Sequence, residues 1–112
     1  MKLNHINLTV TDVNATREFL EKYFGLQTKS TYSDSFAVLL DDKGLLLALM
    51  KGKQVSYPKS FHIGFEQESE DQVNEINRHL RDDGVDVKPP KRAHRWTFYV
   101  KAPGGFTIEV FS

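Results

Sequence analysis

The sequence contains no cysteine among its 112 residues. Disulfide bridges, zinc–thiolate sites and thiol nucleophiles are therefore excluded together. Neither sign of charge prevails, because 15 Lys and Arg residues are balanced by 15 Asp and Glu residues. Nothing in the overall charge favours nucleic acid or an acidic membrane surface, and we expect neither as a partner.

Long apolar runs are missing as well. No segment approaches the length of a membrane span, and the N-terminus enters an alternating pattern without the apolar run of a signal peptide. The length suits one domain with a single hydrophobic core. We therefore expect a soluble, cytoplasmic protein with a single domain over residues 1–112.

The first half of the chain shows a strand, a helix and then three strands. Residues 2–10 alternate between polar and apolar, which is typical of a strand with one buried side. Asn14 can cap the helix that follows, and Gly25 stands where that helix should stop. Extended structure resumes there and includes a hairpin whose turn lies at residues 41–44. This order predicts a βαβββ module over about residues 1–56.

The same order returns in the second half, at about residues 57–112. Phe61 to Phe65 alternate as the first strand does, and Ser69 with Gln72 forms a capping box for a second helix. Val85 to Val87 are expected to begin the next strand. Two βαβββ copies with one helix each predict an α+β fold in which one face of each sheet is left free of helix.

The free face carries histidine and carboxylate side chains. His5 and His62 occupy equivalent places in the first strand of each module, and Glu109 lies in the middle of the last strand. Strands disfavour Glu, and a buried carboxylate must be paired or bound to a metal. The alternative is that Glu109 belongs to an edge strand with one wet face. The place equivalent to Glu109 in the first module is held by Ala48.

These motifs together resemble the vicinal oxygen chelate superfamily of glyoxalase I, extradiol dioxygenases, fosfomycin-resistance enzymes and bleomycin-resistance proteins. The resemblance spans nearly the whole chain. It rests on the repeat, on His-Ile-Asn-Leu-Thr-Val-Thr-Asp from His5, on Gly-Leu at Gly25, on Phe-His-Ile-Gly-Phe from Phe61, and on Pro-Gly-Gly-Phe-Thr-Ile-Glu-Val from Pro103. It implies a sheet rolled into a cup around a divalent metal ion.

Carried over position by position, the resemblance implies that His5, His62 and Glu109 bind the metal. Ala48 takes the place of a fourth ligand, so up to three positions on the metal are expected to stay open for substrate, water or dioxygen. Without a sulfur ligand, Fe, Mn, Ni, Co, Mg and Zn are all compatible with the site. The implied substrate is a small molecule that chelates the metal through two neighbouring oxygens.

Further residues are assigned to the site from their strands. Tyr99 precedes Glu109 by ten residues, a separation that resembles dioxygenases and fosfomycin-resistance enzymes and implies a catalytic contact with substrate. His94 is expected to be solvated, although it is the only candidate for an acid–base histidine. The residues expected to line the substrate pocket are Asn7, Thr9, Ala48, Met50, Arg95 and Thr97.

Two classes of function remain open. The first is a metal-dependent enzyme of dioxygenase or glyoxalase type, with oxygen-dependent or electrophilic chemistry preferred because Ala48 cannot act as the base of a glyoxalase I isomerisation. The second is a metal-free protein that sequesters a drug or metabolite, as bleomycin-resistance proteins do. A thiol transferase of the fosfomycin-resistance type is a further alternative, but its Ser-Glu-Gly type loop has no match at Lys91 to Arg95. The three retained ligands favour the enzyme.

The size of the modules also predicts an assembly. One βαβββ unit leaves its concave face open, and a cup requires two units. In small members of the superfamily the pairing is often exchanged between chains. We therefore expect a homodimer whose sites are shared, with His5 from one chain and His62 and Glu109 from the other.

Overall fold

The computed structural model describes residues 1–112 and contains two four-stranded sheets. The elements in chain order are β1 (His5–Val10), α1 (Val13–Phe24), β2 (Gln27–Tyr32), β3 (Phe36–Leu40), β4 (Leu46–Lys51), β5 (His62–Glu66), α2 (Glu70–Asp82), β6 (Lys91–Arg92), β7 (Trp96–Lys101) and β8 (Thr107–Phe111). This is the predicted α+β fold. Neither helix is long and apolar enough to cross a membrane.

The chain forms two compact units. The first unit comprises Met1–Tyr57 together with Pro103–Gly105, and the second comprises Pro58–Ala102 together with Phe106–Ser112. The first unit contains the sheet β1-β4-β3-β2 and the second contains the sheet β5-β8-β7-β6. Each unit therefore has the same strand order, with the last strand of its module lying beside the first.

The strand register defines which positions correspond between the two sheets. β1 pairs in parallel with β4, so that Asn7 lies opposite Ala48. β5 pairs in parallel with β8, so that Gly64 lies opposite Glu109. Ala48 is thus the counterpart of Glu109, as predicted. β8 lies between β5 and β7, and the alternative that Glu109 belongs to an edge strand is wrong.

In the first unit, one face of the sheet packs against α1. Leu8 and Val10 of β1 are buried on this face with Leu49 of β4, as is Leu20 of the helix. The alternation of β1 turns its polar side chains to the opposite face. Burial of the apolar residues therefore fixes the direction in which His5 points.

The helix start in the first unit differs from the prediction. Asp12 is the N-cap of α1, and its Oδ1 accepts a hydrogen bond from the backbone N–H of Ala15 at 2.9 Å. Val13 is buried and forms the first residue of the helix, which places Asn14 inside the first turn. The prediction that Asn14 caps this helix is therefore wrong. Gly25 ends the helix in the left-handed conformation (φ 69°), as expected.

In the second unit, Ser69 caps α2 and accepts a hydrogen bond from the backbone N–H of Gln72, as the capping box predicts. The expected strand at Val85 to Val87 is wrong, because pairing begins only at Lys91. The two prolines before Lys91 have no N–H to donate to a strand ladder, which explains the late start. Asn77 Nδ2 instead donates to the carbonyl of Lys88 at 2.8 Å.

The cap assignment gives a stability test. Asp12→Ala removes the side-chain acceptor for Ala15 N–H and should lower the free energy of unfolding by about 1 kcal/mol. Asn14→Ala is the matched control and should change it much less, because no cap depends on Asn14. Urea denaturation of both variants measures the difference, and a larger loss for Asn14→Ala would contradict the assignment.

Candidate functional site

The site in the second unit is built around the carboxylate of Glu109. This residue lies on the interior strand β8 and is only 5% exposed. Gly64 on β5 and Tyr99 on β7 are its direct neighbours across the sheet. Because Gly64 has no side chain, the carboxylate meets no neighbouring Cβ on that side.

Both carboxylate oxygens of Glu109 have polar neighbours. Oε2 accepts a hydrogen bond of 2.7 Å from the hydroxyl of Thr97 and lies 2.9 Å from Nε2 of His94. Oε1 lies 3.3 Å from Nε2 of His62. The carboxylate is therefore held from one side through Oε2, while Oε1 faces His62.

The orientation of His62 is set by its other ring nitrogen. Nδ1 lies 2.9 Å from the carbonyl oxygen of Ser60. Since a carbonyl only accepts hydrogen bonds, Nδ1 carries a proton, and in the neutral ring Nε2 presents a lone pair. That lone pair faces Oε1 of Glu109, which is also an acceptor. Two facing acceptors are stabilised by a cation between them, and their spacing suits adjacent ligands of a metal with bonds of about 2.0–2.2 Å.

Tyr99 completes this group. Its ring centroid lies 5.5 Å from that of His62 in an edge-to-face arrangement, and 44% of the residue is exposed. Partial burial, the charge of Glu109 and a hydrogen bond to its carboxylate raise the pKa of the Tyr99 phenol. A phenol is protonated at neutral pH even at its ordinary pKa, and the raised pKa of Tyr99 strengthens that preference, so the hydroxyl is a hydrogen-bond donor.

Thr97 and Arg95 were both predicted to line the pocket, and Thr97 contacts Glu109, whereas Arg95 contacts Glu66 and Phe111. Thr97 is 1% exposed, so it acts on the site through its hydrogen bond to Glu109. The Arg95 guanidinium lies 2.7 Å from a carboxylate oxygen of Glu66 and 5.2 Å from the ring centroid of Phe111. Arg95 is thus held on the sheet face that carries Glu109.

His94 is exposed, as expected, with 58% of its side chain accessible. Its Nε2 also lies 2.9 Å from Oε2 of Glu109, a contact that was not predicted. The run of basic residues around it is typical of a solvated loop, which hid this contact. No sequence pattern predicts it, because the contact depends on how the short connection between β6 and β7 folds back onto the sheet. In that connection the Ala93 N–H donates to the carbonyl of Arg95 at 3.0 Å.

The remaining predicted site residues lie in the first unit. His5, Asn7 and Thr9 are exposed on β1, and the register sets Ala48 and Met50 beside Asn7 and Thr9 on the same face. Met50 is 44% exposed and Ala48 8%. This face therefore combines polar groups from β1 with apolar groups from β4.

His5 has a local environment similar to that of His62. Its Nδ1 lies 3.0 Å from Oδ1 of Asn4. With Oδ1 as acceptor, the neutral ring carries its proton on Nδ1 and leaves Nε2 available. Neither unit contains three His, Asp or Glu side chains that are grouped to hold a metal ion. Within the second unit, the predicted ligands brought together are His62 and Glu109.

Comparisons with known proteins agree with this architecture. The family model of the Glyoxalase/Bleomycin resistance protein/Dioxygenase superfamily matches residues 2–110. A solved structure of a possible glyoxalase from Bacillus cereus is 60% identical and has a TM-score of 0.97, with 100% of this chain and 99% of that chain covered.

Two curated relatives have described activities. The fosfomycin resistance protein FosX from Listeria monocytogenes is 31% identical over 94 residues, which cover 80% of this chain and 70% of FosX. A FosX variant solved with Mn(II) and 1S,2S-dihydroxypropylphosphonic acid is 26% identical with a TM-score of 0.83, covering 98% of this chain and 90% of that chain. A trivalent organoarsenical cleaving enzyme from Bacillus sp. strain MD1 is 29% identical over 85 residues, which cover 76% of this chain and 53% of the enzyme.

Proposed function

Because the chain belongs to the Glyoxalase/Bleomycin resistance protein/Dioxygenase superfamily, we propose that it is a divalent-metal-dependent enzyme acting on a small molecule with two neighbouring oxygens. The observation that supports this most is the pair of facing acceptors, Nε2 of His62 and Oε1 of Glu109, 3.3 Å apart. The presence of Mn(II) in a FosX structure supports a metal of this class.

In this proposal His5 is the third ligand. Like His62, it has its Nδ1 beside an amide or peptide oxygen, which directs Nε2 outward as a metal-binding histidine requires. A divalent metal bound there supplies Lewis acidity, which stabilises negative charge that develops on a substrate oxygen. The ligands available in this chain are nitrogen and oxygen donors, which suit Mn, Fe, Co, Ni, Zn or Mg.

Tyr99 is the proposed catalytic residue. Its phenol is partly exposed, contacts the ligand pair and carries its proton at neutral pH, as a phenol does already at its ordinary pKa of about 10. It can therefore donate a hydrogen bond to a substrate oxygen as charge develops there.

Other residues are proposed to surround the site. Thr97 orients Glu109 through its hydrogen bond, and Arg95 lies on the same sheet face, where it is proposed to bind an anionic group of the substrate. Asn7, Thr9, Ala48 and Met50 are proposed to line the pocket from the first unit.

The reaction we favour is the opening of an epoxide such as fosfomycin by addition of water or a thiol, because the fosfomycin resistance protein FosX is a relative over most of this chain. The ligand in the FosX structure carries hydroxyls on neighbouring carbons, which supports binding of a molecule with two neighbouring oxygens, as the addition of water to an epoxide would give. Cleavage of trivalent organoarsenicals is less well supported, since this chain has no cysteine to bind soft trivalent arsenic.

A second candidate is oxygen-dependent chemistry of the dioxygenase type. It is favoured by Tyr99, which lies directly opposite Glu109 across the β7–β8 pair. A catechol held beside this phenol would have its developing anion stabilised by a hydrogen bond. Isomerisation of the glyoxalase I type is disfavoured, because the counterpart of Glu109 is Ala48, which cannot take up a proton.

We also propose that the active form is a homodimer with shared sites. The free sheet face of the first unit exposes His5, Asn7 and Thr9 together with the apolar side chain of Met50. A second copy of the chain would supply His62, Glu109 and Tyr99 to that face. The proposal accounts for a ligand set that is distributed over two units.

Metal binding is the first test. His62→Ala and Glu109→Ala should each weaken Mn(II) binding by more than about 100-fold, since loss of an outer-shell partner alone costs 10–100-fold. His79→Ala is the matched control, because His79 is a half-exposed histidine that contacts a different carboxylate, that of Asp83. Calorimetric titration and elemental analysis measure the difference. Parent-like Mn(II) affinity in His62→Ala would rule out the ligand assignment.

The reaction is tested by assaying the Mn(II), Fe(II) and Ni(II) forms against fosfomycin with water or thiols, catechols, and a hemithioacetal. We expect turnover of fosfomycin or of a related small epoxide, and Tyr99→Phe should lower turnover more than it lowers metal affinity. Product mass and oxygen uptake distinguish the candidates. Oxygen uptake with a catechol would favour the dioxygenase candidate, whereas tight binding of an unaltered drug by every form would establish sequestration instead.

Shared sites are tested by mixing His5→Ala with Glu109→Ala chains. Each variant alone should lack complete sites, whereas exchange at equal concentrations should restore roughly one quarter of them in a two-fold dimer. Sedimentation establishes the dimer, and Mn(II) binding counts the restored sites. If exchange is verified and no sites return, each site is built within one chain.

A further inference from the structure

The turn between β6 and β7 places His94 on the buried carboxylate of Glu109. We propose that His94 is a positioning residue, which donates a hydrogen bond to Oε2 of Glu109 and thereby directs Oε1 toward the metal position beside His62. This inference rests on the proposed metal site. It adds a function for a residue that lies on an exposed loop and binds neither metal nor substrate.

The first support is that the two carboxylate oxygens of Glu109 have different partners. Oε2 receives the Thr97 hydroxyl at 2.7 Å and lies 2.9 Å from Nε2 of His94, whereas Oε1 faces His62. An ionised carboxylate can only accept, so Nε2 of His94 must be the donor. In metal sites, hydrogen bonds to the carboxylate oxygen that does not bind the metal commonly orient the oxygen that does.

The second support is that the turn is anchored beside His94. Arg95 pairs with Glu66 at 2.7 Å, and its guanidinium lies over the ring of Phe111. The peptide N–H of Ala93 also donates to the carbonyl of Arg95. The backbone on both sides of His94 is therefore held by the turn hydrogen bond and by the Arg95–Glu66 ion pair. These contacts restrain the loop in the position where His94 contacts Glu109.

The geometry favours this role over direct ligation by His94. His62, Glu109 and His94 do not constitute a three-donor group that could hold a metal ion. Oε2 of Glu109 already has two partners, the hydroxyl of Thr97 at 2.7 Å and Nε2 of His94 at 2.9 Å, which together occupy its two lone pairs. The side of Glu109 that remains for a metal is the Oε1 side, where His62 presents its nitrogen.

The experiment measures Mn(II) binding to the full chain by calorimetry. His94→Ala should weaken Mn(II) binding by about 10–100-fold, the range for loss of an outer-shell partner. His94→Gln keeps an N–H donor at similar reach and should recover most of that loss. His79→Ala and His79→Gln are matched controls, because His79 also contacts a carboxylate from a half-exposed position. Urea denaturation of each variant verifies that the fold is retained.

A spectroscopic readout separates positioning from ligation. Electron spin-echo modulation from imidazole nitrogens bound to Mn(II) should be the same in His94→Gln as in the parent, while His62→Ala should lose one imidazole. Loss of an imidazole in His94→Gln would make His94 a ligand and overturn the inference. Parent-like Mn(II) affinity in His94→Ala would overturn it as well, with the metal site itself intact. Absence of Mn(II) binding in the parent would overturn both the metal site and the role of His94.

Discussion

The site in the second unit depends on the burial of one carboxylate in the middle of a sheet. Glu109 is 5% exposed on an interior strand, where an unpaired charge would cost several kcal/mol. The protein offsets that cost with donors from Thr97, Tyr99 and His94 on the β7 side. The interactions that make Glu109 tolerable in the core also fix the orientation in which it can act.

The two modules show how one scaffold serves two purposes. Each sheet buries its apolar face against a helix, and each exposes a histidine at the start of its first strand. Only the second module carries the carboxylate, because its counterpart in the first is Ala48. With a small apolar residue there, the first module has no buried charge to neutralise and needs no counterpart of Thr97 or His94. The polar network is therefore confined to one module.

The fold and the outline of the site follow from the sequence because both depend on period and register. Strand alternation places His5, His62 and Glu109 on helix-free faces, and the repeat identifies Ala48 as the counterpart of Glu109. The cap at Asp12 and the contact of His94 could not be predicted as readily. The cap could be Asp12 or Asn14 from the sequence alone, and the burial of Val13 as the first helical residue decides for Asp12. The contact of His94 depends on how a short turn folds back onto the sheet.

The late start of β6 has a consequence for the behaviour of the protein at high concentration. β6 is the outer strand of its sheet and contains only Lys91 and Arg92. An outer strand this short, charged and preceded by Pro89 and Pro90 offers few free N–H and C=O groups to a foreign strand. The residues that delay pairing within the chain thus also discourage a foreign strand from pairing with β6 itself.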